Sequence, residues 1–177
     1  MARRREAYAY IRPASEEEKD FPQVLKVEGN TVTLKESSSR TRSLAVDGVY
    51  QNDQTQLLDD LSGKLFAQLK NEGNVHMHVL GPSKTGKSRC LFGANGEEGL
   101  IERFADKFYS QRNMRGHAII DLSIFDVSDE VIYDLLCPGR TGTLRFSPTG
   151  GPWVDGLSRH LAGNKEEFAS LLKDALT

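Results

Sequence analysis

A chain of 177 residues, 38% hydrophobic and 27% charged, falls in the ordinary globular range and suffices for one sizeable core, so one domain or part of one is expected. Its net charge of −2 gives no broad electrostatic reason to expect nucleic acid or an anionic membrane as partner. Nothing approaches the apolar length of a membrane span, and no apolar stretch follows the basic tip Ala2-Arg3-Arg4-Arg5 as it would in a signal peptide, so the expected location is cytoplasmic.

Along the chain, Tyr8 to Arg12 predicts a short strand ended by Pro13, followed by a solvated polar loop from Ser15 to Asp20. Alternation around Glu28-Gly29-Asn30 predicts a hairpin within Val24 to Leu34, Ser37 to Arg40 a loop, and Leu44 to Val46 a brief strand. Leu57, Leu58, Leu61, Leu65 and Leu69 recur at helical spacing, with Gly73 beyond the end, and predict an amphipathic helix from Thr55 to Leu69 packed on a sheet. Val75 to Leu80 then reads as a strand, the next residues as a glycine-bearing turn, and Lys87 onward as a helix. A further helix is expected from Leu100 to Tyr109, and a long β-like run from His117 to Val127. Val131 to Leu136 has helical or turn character before Cys137-Pro138-Gly139. Short strands near Thr143 to Phe146 and Trp153 to Val154, then a helix from Lys165 to Leu176, complete an α/β layered fold without internal repeats.

The strongest local signal is Gly81-Pro82-Ser83-Lys84-Thr85-Gly86-Lys87-Ser88, which satisfies G-x-x-x-x-G-K-S/T between an apolar strand and a helix start. Average usage of Gly, Lys and Ser puts a chance match in such a chain on the order of one per cent. The glycines let successive N–H groups turn inward and form an anion cradle at the positive end of a helix. Lys87 would reach the β- and γ-phosphates of a bound nucleotide, and the Ser88 hydroxyl would be one ligand of Mg²⁺. Pro82 and Lys84 are unusual fillers, the proline removing one donor at the start of the loop.

Other constellations are weaker. Asp121 ends the apolar run Ala118-Ile119-Ile120 and has the form of a Mg²⁺-shell acid or of an exposed strand position. His76 and His78 share a strand face with no further ligand placed by sequence, and read as core or edge histidines. Glu97-Glu98 and Glu166-Glu167 read as solvated faces, and Cys90 and Cys137 as reduced thiols without a role.

Taken in order, these motifs resemble the first half of a kinesin motor domain. Arg12-Pro13 is similar to the end of the family's R-x-R-P, which lies beside the nucleotide base. Val46-Asp47-Gly48-Val49-Tyr50 and Thr55-Gln56 resemble F-D-x-V-F and the later T-Q. Residues Gly81 to Ser88 stand at G-Q-T-G-S-G-K-T, Gly99 to Arg103 at G-I-I-P-R, and Phe108 near the usual L-F. Ser123 to Leu136 resembles S-Y-L-E-I-Y-N-E-x-I-x-D-L-L, and Asp155-Gly156-Leu157 with Glu166-Glu167 and Leu171-Leu172 resembles V-x-G-L and E-E-x-x-x-L-L.

The resemblance implies a P-loop NTPase fold, with a mixed, mainly parallel sheet flanked by helices. Residues 7–177 would be a partial motor domain behind a basic tip at residues 1–6. It implies ATP or ADP and Mg²⁺ as cofactors, microtubules as partner and a cytoskeletal location. The nucleotide would be held by Gly81, Pro82, Ser83, Lys84, Thr85, Gly86, Lys87 and Ser88, with Arg12 and Pro13 at the base. It also argues against a catalytic Asp121, which falls outside the family's Mg²⁺-linked switch. Tyr10 departs from the first arginine of R-x-R-P, and Arg89 from the aromatic that stacks near adenine. The switches N-x-x-S-S-R-S-H and D-L-A-G-S-E, which position the attacking water, and the main microtubule-binding helix belong to the other half. Ser37-Ser38-Ser39-Arg40 precedes the phosphate loop and is no switch. No catalytic residue is therefore assigned, and turnover is expected to be poor. The alternatives are a non-catalytic kinesin-like scaffold and a small P-loop kinase, against which the late position of the loop argues.

Overall fold

Each of the two units into which the chain divides, Met1–Gly93 and Ala94–Thr177, builds its own elements from local sequence pattern. The computed structural model describes residues 5–19, 24–37, 39–94, 96–110, 119–147 and 151–176. Arg3, Arg4, Asp20, Ser38, His117 and Ala118, on which sequence expectations fell, lie outside the described residues.

In the first unit, strand β1 (Tyr8–Ile11) leads into Pro13 and a single 3-10 turn, Glu16–Glu18, closed by a capping box between Ser15 and Glu18. Strands β2 (Leu25–Glu28), β3 (Thr31–Lys35) and β4 (Thr41–Ala45) form an antiparallel meander, the expected hairpin turning at Gly29 with φ +57°. β5 (Gly48–Gln51) pairs parallel with β1, Tyr8 opposite Gly48 and Ile11 opposite Gln51. Helix α1 (Gln54–Glu72) starts where the Asp53 carboxylate accepts the Gln56 amide at 2.9 Å, and stops at Gly73 with φ +75°. Its Leu57 and Leu58, with Ser62, are buried, and the helix packs on β5. α2 (Lys87–Phe92) is short and ends at Gly93.

Val75 to Leu80 departs from expectation. Apolar composition predicts a strand, but a strand exists only with a hydrogen-bonded neighbour, and among the described residues none lies beside this segment. Leu80, next to the phosphate loop, is 89% exposed.

The second unit begins with α3 (Leu100–Ser110). The β-like run ending at Val127 is divided between β6 (Ile120–Leu122) and β7 (Phe125–Ser128). Val131 onward, expected to be helical or turn, is instead strand β8 (Val131–Asp134). The reason is a two-residue turn in which Asp129 and Glu130 both take positive φ, +50° and +66°, folding Val131 back onto Ser128. β9 (Thr141–Ser147) and β10 (Gly151–Asp155) complete a sheet of order β10-β9-β8-β7, while β11 (His160–Ala162) pairs with β6. α4 (Lys165–Asp174), capped by Asn164, packs on α3 and β11. Leu100, Ala105, Ala162, Phe168 and Leu172 form the buried centre, and Lys165 Nζ ties the helices by donating to Glu98 at 2.7 Å and Asp106 at 2.6 Å.

Helices with sheets of mixed pairing give the expected α/β class; among the described residues the parallel pairing is that of β1 with β5. No helix among them is long and apolar enough to cross a membrane.

Candidate phosphate-binding loop

The loop leaves the extended segment at Gly81, whose φ of +156° and close surroundings disfavour a side chain. A Cβ there would sit 3.0 Å from Thr85 Oγ1. Gly86, at φ +93°, is the N-cap of α2 and its carbonyl accepts the Cys90 amide at 2.9 Å. Between them the chain turns on itself, and the Pro82 carbonyl accepts the Thr85 hydroxyl at 2.8 Å. Lys84 occupies the left-handed region at φ +62°, a conformation glycine adopts without strain.

Lys87 does not extend into solvent. Its ammonium donates to the carbonyls of Gly81 at 2.9 Å and Pro82 at 2.6 Å, lying across the mouth of its own loop. Ser88 follows with an exposed side chain. The arrangement is a ring of backbone closed by a lysine whose present acceptors are carbonyl oxygens, and phosphate oxygens are stronger acceptors for an ammonium.

The residues expected at the base lie in the same unit. Tyr10 sits on β1, where burial raises its phenol above the ordinary range; Cys90 and Asp53 nearby add to this, and Arg89 and Arg12 oppose it. Gln54 at the start of α1 donates its amide to the Arg89 carbonyl at 3.5 Å. The strand end, the start of α1 and the residues after the loop therefore converge. Arg12 is held elsewhere: it grips Glu18 through both guanidinium nitrogens, at 2.7 and 2.6 Å, and donates to the Pro13 carbonyl at 2.9 Å. That grip, with the Ser15 amide, draws the Glu18 carboxyl down to about 2.

Glu18 is the participant that sequence reading missed. The signal was Ser15-x-x-Glu18, a capping-box pattern inside a segment read as solvated loop. Asp121 binds the Arg159 guanidinium, an ion pair within the second unit. Burial raises the Cys90 thiol.

Comparison with known proteins bears on the whole chain. The family model described as the kinesin motor domain matches residues 10–177. The kinesin-like protein KIF14 of Mus musculus is 29% identical over 131 residues, covering 68% of this chain and 8% of the relative. The kinesin-like protein KIN-10A of Arabidopsis thaliana is 24% identical over 177 residues, covering 94% of this chain and 20% of the relative. Among solved structures, the KIF14 dimer in its two-heads-bound state, with AMP-PNP and in complex with a microtubule, matches at 25% identity and a TM-score of 0.84. The match covers 96% of this chain and 52% of that one. KIF14 with ADP in complex with a microtubule matches with a TM-score of 0.80. The chain thus spans about half the length of the solved relatives, and 8% and 20% of the two curated relatives.

Proposed function

This chain belongs to the kinesin motor domain family, and from that premise we propose that it holds ATP or ADP in the Gly81–Ser88 loop as part of a microtubule motor. The observation that carries the reading is Lys87, folded onto the loop carbonyls where the β- and γ-phosphate oxygens would replace Gly81 and Pro82 as acceptors. The backbone of Gly81, Pro82, Ser83, Lys84, Thr85 and Gly86 would wrap the phosphates, and Arg12 and Pro13 would flank the base. The exposed hydroxyl of Ser88 suits a Mg²⁺ ligand beside Lys87. Bound there, the ion would neutralise charge on the phosphate chain.

Microtubule binding, a cytoplasmic location on the cytoskeleton, and the reading of residues 7–177 as one partial motor domain behind the tip at residues 1–6 are proposals on the same footing. Their support is the likeness to solved motors bound to microtubules. The switch motifs that orient water are not among these 177 residues, so the chain by itself should bind nucleotide and hydrolyse it slowly.

A second reading, a non-catalytic kinesin-like scaffold, is favoured by Tyr10, by Arg89 in place of an aromatic, and by the capture of Arg12 by Glu18. The deciding measurement is equilibrium binding of a fluorescent ATP analogue with Mg²⁺ to this chain and to Lys87→Ala, with phosphate release followed in the presence and absence of microtubules. Saturable binding that Lys87→Ala weakens by at least about a hundredfold supports the nucleotide site. A folded chain that binds nothing leaves the scaffold.

A further inference from the structure

We propose that Lys84 is a second phosphate-binding cation of the Gly81–Ser88 loop, and that the site it shapes selects for the length of a phosphate chain more than for the base attached to it. The proposal rests on reading that loop as a nucleotide site and assigns its selectivity.

The first ground is the backbone. Lys84 stands in the left-handed region at φ +62° in the middle of the loop, where glycine would fit without strain. A lysine there accepts unfavourable backbone geometry and sets a cationic side chain on the loop itself. That side chain is exposed, and among the described residues none binds it. Lys84 and Lys87 are three residues apart, so their Cα atoms are separated by at most about 11 Å, within which two flexible ammonium groups can meet one phosphate chain.

The second ground is the distribution of charge. Within the loop itself, Gly81 to Ser88, the chain carries Lys84 and Lys87 and no aspartate or glutamate. Two lysines on one loop whose own sequence holds no acid attract an anion the more strongly the more charge it carries, so each added phosphate should matter.

The third ground is on the base side. The Arg12 guanidinium, whose fork is the obvious donor for a base edge, is filled by the Glu18 carboxylate and the Pro13 carbonyl. Tyr10 replaces a cation on the same strand with a partly buried phenol. The loop thus carries two lysines, while the Arg12 fork expected beside the base is engaged by Glu18.

The test is displacement of a fluorescent ATP analogue by ATP, GTP, ADP and inorganic triphosphate, with Mg²⁺, at low and moderate salt. It is run on the chain and on Lys84→Gly, Lys84→Arg and Lys87→Ala. Lys84→Gly suits φ +62° and so preserves the loop backbone. The expected result is ATP and GTP within about threefold of one another and triphosphate within about tenfold. Lys84→Gly should weaken ATP roughly tenfold and ADP roughly twofold, with a shallower salt dependence, and Lys84→Arg should restore the ATP preference. An unchanged ATP to ADP ratio and salt slope in Lys84→Gly would make Lys84 an ordinary solvated lysine and overturn the proposal. A preference for ATP over GTP and triphosphate exceeding about a hundredfold would overturn its second part. Absence of any binding by the unaltered chain would remove the nucleotide site itself, an outcome distinct from both.

Discussion

The carboxylate of Asp134, at the end of β8, accepts both the amide of Ser158 at 2.5 Å and its hydroxyl at 3.0 Å, joining two positions 24 residues apart. The same carboxylate takes the amides of Leu136 and Cys137 at 3.0 and 3.1 Å, so one side chain closes the turn after β8 and anchors the segment before β11. Burial pushes this carboxyl upward, but the bonds from Ser158, Leu136 and Cys137 outweigh it and hold it below the ordinary range. A depressed carboxyl contributes stability that is complete above its unfolded pKa and is lost as pH falls through the lower, folded value. Asp134→Ala leaves several donors unsatisfied at a site only 4% exposed, and should lower unfolding free energy by about 3 kcal/mol. Asp134→Asn should cost less, since one amide oxygen still accepts. Urea unfolding at neutral pH reads both, and an Asp134→Ala chain as stable as its parent would show that these bonds are replaced by water.

The clasp between Arg12 and Glu18 makes a pH prediction of its own. With the Glu18 carboxyl drawn down to about 2, the pair is complete above the ordinary glutamate range and dissolves only as pH falls through about 2. Between pH 5 and 8 the clasp should not titrate, and nucleotide affinity in that window should owe nothing to Glu18 ionisation. Glu18→Gln removes the charge and loosens the fork. Since Glu18 is exposed and Arg12 about a third exposed, the thermal midpoint should move by no more than about 2 °C. If Arg12 serves the base, the same variant should raise ATP affinity about threefold while leaving inorganic triphosphate unchanged. Equal affinities in parent and variant would exclude Arg12 from base recognition.

These two carboxylates also show what the sequence made visible. Asp134 stood within Ser123 to Leu136, after the phosphate loop the most persuasive match to the kinesin pattern, yet its work is structural and depends on Ser158, which no local pattern ties to it. Helices α1, α3 and α4 were legible because apolar spacing at 3.6 residues survives any tertiary context, and the phosphate loop because its glycines and lysine are fixed by local geometry. β5 and β11 escaped notice: four and three residues are too few to establish alternation. Val75 to Leu80 failed for the opposite reason. Its composition is strand-like, but pairing is a property of two segments and cannot be read from one.

The turn that makes Val131 onward a strand is strained at one of its two central residues. A two-residue hairpin with positive φ at both central positions is a type I′ turn, for which Asn-Gly is the favoured sequence. Here the positions hold Asp129 and Glu130, at φ +50° and +66°, so nothing in the residue types announced a hairpin. Asp tolerates the left-handed region better than most residues, whereas Glu130 has no short side chain to bond locally and bears the strain. Glu130→Gly should therefore stabilise the fold by about 0.5–1 kcal/mol, because relief of strain in the turn exceeds the extra freedom glycine gives the unfolded chain. Glu130→Val should destabilise it by about 1–2 kcal/mol, a β-branched residue being the poorest fit at positive φ. Thermal and urea melts of the pair of variants check the sign, and the contrast between them is the informative quantity. Loss of stability in Glu130→Gly would mean that the turn is held by contacts of the glutamate side chain rather than strained by its backbone.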